Sequence, residues 1–138
     1  QIEMHPYLQQ PDMLDFADEE DFHLTAYSPL GSMDRPDEIK GEDEPNLFED
    51  TTIQDIAEKH GASAAQVLIS WAIHRGTAVI PKSVTPSHIK DNLAAADLSL
   101  SDSDMDAIKD LDRHRRYLDG SIWTFEGSPY SKASLWDE

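Results

Sequence analysis

The sequence predicts an α/β protein whose strands run parallel. Three observations carry this reading. Short runs rich in β-branched and aromatic residues recur along the chain, and the longer runs between them repeat apolar residues at helical spacing. The order is strand, helix, strand, loop, helices, strand, helix, helix, arm, an alternation that implies parallel strands joined by right-handed crossovers. The length, 138 residues, is one domain's worth of chain and enough to bury a core.

Each element has its own signal. Residues 1–5, "QIEMH", alternate loosely and stop at His5-Pro6, a strand and its end. In "QPDMLDFADEED", Pro11 suits a first helical position, and Met13, Leu14 and Ala17 predict one apolar face. "FHLTAYSPLGS" is a second strand closing on Pro29 and Gly31. The polar stretch from Met33 to Asp50 holds two prolines and predicts a long loop, functional or disordered. "TTIQDIAEKHG" is a short helix stopped by Gly61. "SAAQVLISWAIHRG" is a stronger one, with Ser63 and Gln66 as a capping box and Gly76 at its end. "TAVIPKS" is the third strand. It feeds "TPSHIKDNLAAAD", a helix with Thr85 as cap and Pro86 in its first turn. Ser101 caps a last helix that lines up Met105, Ile108 and Leu111. From Arg113 onward, Trp123, Phe125, Tyr130 and Trp136 stand among Gly and Pro, which predicts an ordered arm rather than a helix. Three strands are too few for an open sheet covered on both faces, or for a closed eight-stranded barrel, which takes about 250 residues.

Composition narrows the function classes. The net charge of −17 argues against nucleic acid and against anionic membranes as partners, and suits solubility. It also repels anionic ligands at long range, so any phosphate site must be local and positive, and salt would help it by screening. No cysteine is present, which excludes disulfides and thiol chemistry and fits a cytoplasmic protein. No apolar run approaches the roughly 20 residues of a membrane helix, and no signal peptide is visible. Gln1 opens inside a strand, so the chain is expected to be a piece of something longer.

Few residues present themselves as chemistry. There is no GxGxxG or Walker loop. Glu3 and His5 share a strand face, which fits a buried hydrogen-bonded pair better than a metal site lacking a third ligand. His60, His74 and His114 fall near helix ends, where the dipole favours cations. "RHRRY" at 113–117 reads as a solvated turn or as partners for nearby aspartates. The most suggestive stretch is "AVIPKSVTPSHIKDN" at 78–92. A strand there delivers Lys82 and Ser83 to a helix start, where free N–H groups and the dipole favour an anion. The plain alternative is an ordinary capped helix beside an exposed lysine.

At "HPYLQQ", "TAYSPLGS", "AQVLISWAIHRG" and "IPKSVTP" the sequence resembles the aldo-keto reductases, in order and spacing, from Gln1 to about Arg116. The resemblance implies a partial (β/α)8 barrel, strands six to eight with their helices, over 1–116. It makes 117–138 an arm like the family's C-terminal substrate loop, which sets selectivity. There Trp123 and Phe125 suggest an aromatic-walled carbonyl pocket. It implies a nicotinamide cofactor, NADP(H) with NAD(H) as the alternative. Lys82 and Ser83 would meet its 2′-phosphate. Val84, Thr85, His88, Asp91 and Asn92 would line the adenosine end, with Asn92 on adenine. Ser28, Leu30 and Ser32 would meet the pyrophosphate. Tyr27 would stack on the nicotinamide, against the alternative of a core aromatic, and Gln1 would bond its carboxamide. His88 stands where the family usually has arginine, so the bidentate fork on phosphate is missing. The family's catalytic Asp, Tyr, Lys and His come from early strands, and nothing here matches them, Tyr7, Lys59 and His5 included. The expectation is the cofactor-binding part of a carbonyl-reducing oxidoreductase, inert alone, with a small carbonyl substrate only in the complete protein. Its open edges and apolar inner face would pair with the missing N-terminal half or with a second copy. A non-catalytic nucleotide-binding module and a structural or interaction remnant are the alternatives.

Overall fold

The computed structural model describes residues 1–41 and 44–136. Glu42 and Asp43 of the expected loop, and the last two residues of the expected arm, lie outside the described residues. Three short strands form one parallel sheet in the order β1 (Ile2–Glu3), β2 (Thr25–Tyr27), β3 (Ala78–Val79). Ile2 pairs with Ala26 and Glu3 with Tyr27, while Thr25 pairs with Ala78 and Ala26 with Val79. Paired residues share a face. Ile2, Ala26 and Val79 therefore point together, into the apolar core beneath the helices. Glu3 and Tyr27 stand on the opposite face.

The strands are shorter than the sequence predicts. β1 ends early because His5 and Leu8 exchange backbone hydrogen bonds across a tight turn, at 3.2 and 2.9 Å. β2 ends because Ser28 turns to φ 51°, out of the extended region. The β-rich run after it is already loop.

Helix α1 (Pro11–Glu19) begins on Pro11 as expected. Its buried face is Leu14 and Ala17, whereas Met13 is 39% exposed, a correction to the predicted face. Asp50 caps α2 (Thr51–His60) by accepting from the N–H groups of Thr52 and Ile53. Gly61 ends it at φ 60°, the left-handed geometry that glycine tolerates. Helix α3 (Ala64–His74) carries the predicted Ser63–Gln66 capping box. Val67, Leu68, Ile69, Trp71 and Ala72 are all buried, so this helix is wrapped by neighbours on most sides. Helix α4 (Pro86–Ala94) is the opposite case, with no buried residue. Thr85 occupies its N-cap position, but its hydroxyl caps nothing; Ser83 Oγ instead accepts from Thr85 N–H at 3.1 Å. Helix α5 (Asp102–Lys109) follows Ser101, with Asp104 closing a capping box.

The expected long loop is ordered where it is described, while the arm departs from expectation. The 33–50 stretch holds two 3-10 turns, Asp37–Ile39 and Leu47–Glu49, and buries Leu47 fully in the core. The arm, expected without helix, contains a 3-10 turn at Ser121–Trp123 and a short helix α6 (Lys132–Trp136). That helix folds back on its own entrance. Trp136 Nε1 donates to Asp119 O at 2.9 Å, and Lys132 pairs with the Asp119 carboxylate. The sheet face away from the core is not an apolar surface, since it carries Glu3, buried under the arm, and the half-buried Tyr27. The apolar side chains that reach solvent include Ile80, Val84, Ile89 and Leu93, beside β3 and on α4.

Asp104 locks α5 to α2. Its buried carboxylate accepts from Lys59 Nζ at 2.7 Å, from Ser101 Oγ at 2.7 Å and from Ser101 N–H at 2.9 Å, and lies 2.8 Å from His60 Nε2. Burial opposes the charge, but these partners outweigh it and hold the carboxyl well below its ordinary value of 3.8. A depressed carboxyl contributes stability that is complete above its unfolded value and is lost as pH falls through the folded one. Asp104→Ala is expected to cost about 1–3 kcal/mol in urea unfolding at pH 7. The gap from the parent should shrink as pH drops below 3.8.

Candidate functional site

Parallel strands bring their C-terminal ends to one side, where ligands of α/β proteins bind. Here the loops after β2 and β3 enclose a cleft of about 700 Å³. Ser28, Leu30 and Ser32 line it from the first loop. Lys82, Ser83, Val84 and Thr85 line it from the second, and His88, Asp91 and Asn92 from α4. Phe48, Met33, Asp34 and the start of α3, Ser63 to Ala65, also line it. Every site residue expected from sequence thus meets in this cleft except Gln1 and Tyr27. Gln1 is exposed ahead of β1, and Tyr27 is the last residue of β2, half-buried on the sheet face that carries Glu3. Burial and then the Glu3 carboxylate raise the Tyr27 hydroxyl above its ordinary pKa.

The wall after β2 is a constrained turn. Ser28 and Ser32 take φ 51° and 49°, with Gly31 at 81° between them. Non-glycine residues in that region cost on the order of 1–3 kcal/mol each, and such positions gather at ligand sites. Gly31 N–H donates to Ser28 O at 2.9 Å, and Ser32 Oγ donates to Ser28 Oγ at 2.5 Å. Behind the turn, a Cβ on Gly31 would sit 3.2 Å from both Leu47 Cδ1 and the Tyr117 ring.

The electrostatics are more balanced than a phosphate site requires on its own. Lys82 is the one lysine or arginine among the lining residues, and Asp34 and Asp91 line the same cleft. Lys82 Nζ donates to the Asp34 carboxylate, tying the two loops across the opening. That hydrogen bond, and then the lysine's charge, lower the Asp34 pKa. Both side chains are mostly exposed, so solvent screens the pair and it adds little to stability. An arriving phosphate would compete with Asp34 for the lysine. The first turn of α4 offers it further donors, since Pro86 follows an N-cap whose side chain satisfies none of them.

Other candidate residues have structural posts. His5 Nε2 lies 3.0 Å from Glu3 Oε1, both side chains fully buried, the hydrogen-bonded pair expected from their spacing. Among the described residues no three His, Asp or Glu side chains converge as a metal site. Tyr7 donates its hydroxyl to Asp50 Oδ2 at 2.7 Å, under the Arg113 guanidinium. His60 and His74 end α2 and α3, whereas His114 lies past α5 in a loop, at the left-handed φ of 50°. "RHRRY" is not a solvated turn. Arg113 and Arg115 donate their backbone N–H groups to Tyr7 O, and Arg115 pairs with Glu44 at 2.9 Å. Tyr117 is buried. Sequence reasoning missed Asp34, Phe48 and Tyr117. Asp34 and Tyr117 find their partners far away in sequence, at Lys82 and at Glu3 and Pro45, and Phe48 reaches the cleft only through the fold. Ser63 is both the cap its sequence predicts and a lining residue of the cleft, which its local pattern does not mark.

An α/β unit with a cleft at the carboxyl ends of parallel strands is the class defined by this geometry. The family model described as "Aldo/keto reductase family" matches residues 1–113. The chain belongs to the aldo/keto reductase family. It is 56% identical over 138 residues to an aldo/keto reductase of Synechocystis sp., which covers all of this chain and 42% of that relative. It is 45% identical over 121 residues to a probable NAD(P)H-dependent D-xylose reductase of Aspergillus flavus, covering 86% of the chain and 38% of the relative. It is 41% identical over 118 residues to aldo-keto reductase family 1 member A1 of Rattus norvegicus, covering 86% and 36%. The chain therefore spans about two fifths of the length of these curated relatives.

Gly31→Ala tests the wall directly. The added methyl meets positive φ and two close neighbours at once. The variant is expected to lose about 1–2 kcal/mol in urea unfolding. An equal exchange at Gly127, where a Cβ would meet nothing within 4 Å, isolates the backbone share of that loss.

Proposed function

We propose that this chain is the cofactor-holding part of a carbonyl-reducing oxidoreductase, corresponding to strands six to eight of a (β/α)8 barrel and the arm that follows. The observation that carries the proposal is the cleft itself. Residues from two separate loops and α4, named from their resemblance to a dinucleotide site, face one space of about 700 Å³. That volume falls within the usual range for small-molecule sites. Lys82 and Ser83 are the groups for the 2′-phosphate, with the uncapped first turn of α4 as added donor. Ser28, Leu30 and Ser32 serve the pyrophosphate, while Val84, Thr85, His88, Asp91 and Asn92 serve the adenosine. Tyr27, which directly precedes Ser28, and Gln1, ahead of β1, lie outside the lining and serve the nicotinamide end. A nicotinamide dinucleotide would supply the hydride.

NADP(H) is favoured over NAD(H) through Lys82, a point charge suited to phosphate. The relatives described as NAD(P)H-dependent D-xylose reductases support a nicotinamide partner. Reduction of a carbonyl also needs a proton donor beside the developing oxyanion. No residue here takes that role, so the chain alone is inert and an N-terminal half restores aldehyde or ketone reduction. The arm from 117 on sets substrate selectivity. The lack of cysteine favours a cytoplasmic setting. No helix of the described residues is long and apolar enough to cross a membrane. A second reading, an interaction remnant or homo-oligomer, is supported by exposed Ile80, Ile89 and Leu93 near the free edge of β3.

Titration with NADPH, followed by tryptophan quenching, is expected to saturate and to strengthen as moderate salt screens the acidic surface. Lys82→Met should weaken NADPH by about tenfold or more and leave NADH little changed. Equal loss for both cofactors would contradict the assignment of Lys82. Mixed with an N-terminal half carrying the family's Asp, Tyr, Lys and His, the chain should support aldehyde-dependent NADPH oxidation. An assembled but inactive complex would count against the proposal.

A further inference from the structure

We propose that Tyr117 is a positioning residue for the cleft, coupling the wall after β2 to the C-terminal arm. This deepens the dinucleotide reading and, for its ligand arm only, rests on it. Tyr117 is 2% exposed and touches three separate parts of the chain. Its backbone N–H donates to Glu3 Oε1 at 2.6 Å, and Leu118 N–H donates to Glu3 Oε2 at 3.1 Å. Both oxygens of one buried carboxylate thus hold the root of the arm on β1. The Tyr117 hydroxyl donates to Pro45 O at 2.6 Å, in the loop before α2. The ring stands 4.8 Å from His5 and 5.2 Å from the Arg35 guanidinium. Its edge lies 3.2 Å from the place a Gly31 Cβ would occupy.

Gly31 separates Leu30 from Ser32, and both of those line the cleft. The wall therefore leans on the Tyr117 ring. A second link runs alongside. Arg115 pairs with Glu44, Glu44 pairs with Arg35, and Arg35 donates to Gly31 O and Ser32 O at 3.3 and 3.0 Å. Arg35 and Glu44 are both buried, so breaking their pair would strand a buried charge, and this favours the one arrangement. Freeing the arm root withdraws the ring from behind Gly31 and loosens the wall. Coupling of this kind is reciprocal: whatever firms the wall must firm the arm root by the same factor.

Amide hydrogen exchange on the full chain reads both directions. Glu3→Gln keeps the shape but turns an amide NH2 toward one of the two N–H donors, so the arm root loosens. In the ligand-free protein, the Gly31 and Arg35 amides should exchange about tenfold faster, with the α3 amides unchanged. Tyr117→Phe, which keeps the ring and removes only the bond to Pro45, is the milder variant and should move the same amides in the same direction. Faster exchange at Tyr117 and Leu118 alone, with Gly31 and Arg35 at parent rates, overturns the proposal. With NADPH bound to the parent chain, Tyr117 and Leu118 should exchange more slowly, and unchanged rates despite saturation also overturn it. Absence of any NADPH binding would defeat the dinucleotide reading, while the ligand-free comparison still decides the coupling.

Discussion

The central strand governs what the rest of the molecule can do. Ala26 pairs with Ile2 on one side and with Val79 on the other, and both pairings are parallel. Parallel pairing sends every strand end the same way. Ser28 and Lys82, 54 residues apart by their numbers (82 − 28), therefore emerge side by side at the mouth of one cleft. The register also divides the side chains. Ile2, Ala26 and Val79 join the core that Trp71, Leu68 and Ile53 fill from the helices, and Glu3 is left on the far face. There it meets the backbone N–H groups that seat the arm. A slip of one residue in β1 would exchange Ile2 for Glu3 in the core and free the arm root together.

Charge sets the second condition. A chain of net −17 attracts no anion from a distance, so any anion recognition would have to come from a few groups held close. The cleft supplies Lys82, hydroxyls and an uncapped helix start, and places Asp34 and Asp91 among them. Pairing with Asp34 keeps the lysine at the opening, and its exposure lets the pair exchange for another anion at small cost. The strained turn at Ser28 and Ser32 has no such freedom. It is fixed from behind by Tyr117 and Leu47 through the missing side chain of Gly31.

Much of this could be read from the sequence, and the reasons are local ones. The capping box at Ser63, the cap at Ser101, the Gly61 stop and Pro11 at a helix start each depend on neighbours within a few residues, and each stands in the structure. The parallel sheet followed from alternation of strand and helix. The family resemblance located the cleft residues, which spacing alone could only mark as an anion-favouring helix start. What escaped depends on distant contacts. Thr85 fits a cap by type, yet Ser83 bonds its N–H instead. Met13 has helical spacing and is still 39% exposed, because α1 packs on the core through Leu14 and Ala17 instead. "RHRRY" looks solvated until Tyr7, Glu44 and Glu3 are brought against it. The helix in the arm is held by Asp119, a contact that no periodicity announces.

The most direct test of the central claim is the map of backbone amide chemical shifts as NADPH is added to isotope-labelled chain. Saturable shifts are expected at Ser28, Ser32, Lys82, Ser83, His88 and Asn92 together, since these residues share one cleft. Shifts confined to one loop, or spread over α1 and α5 with the cleft silent, would contradict that claim.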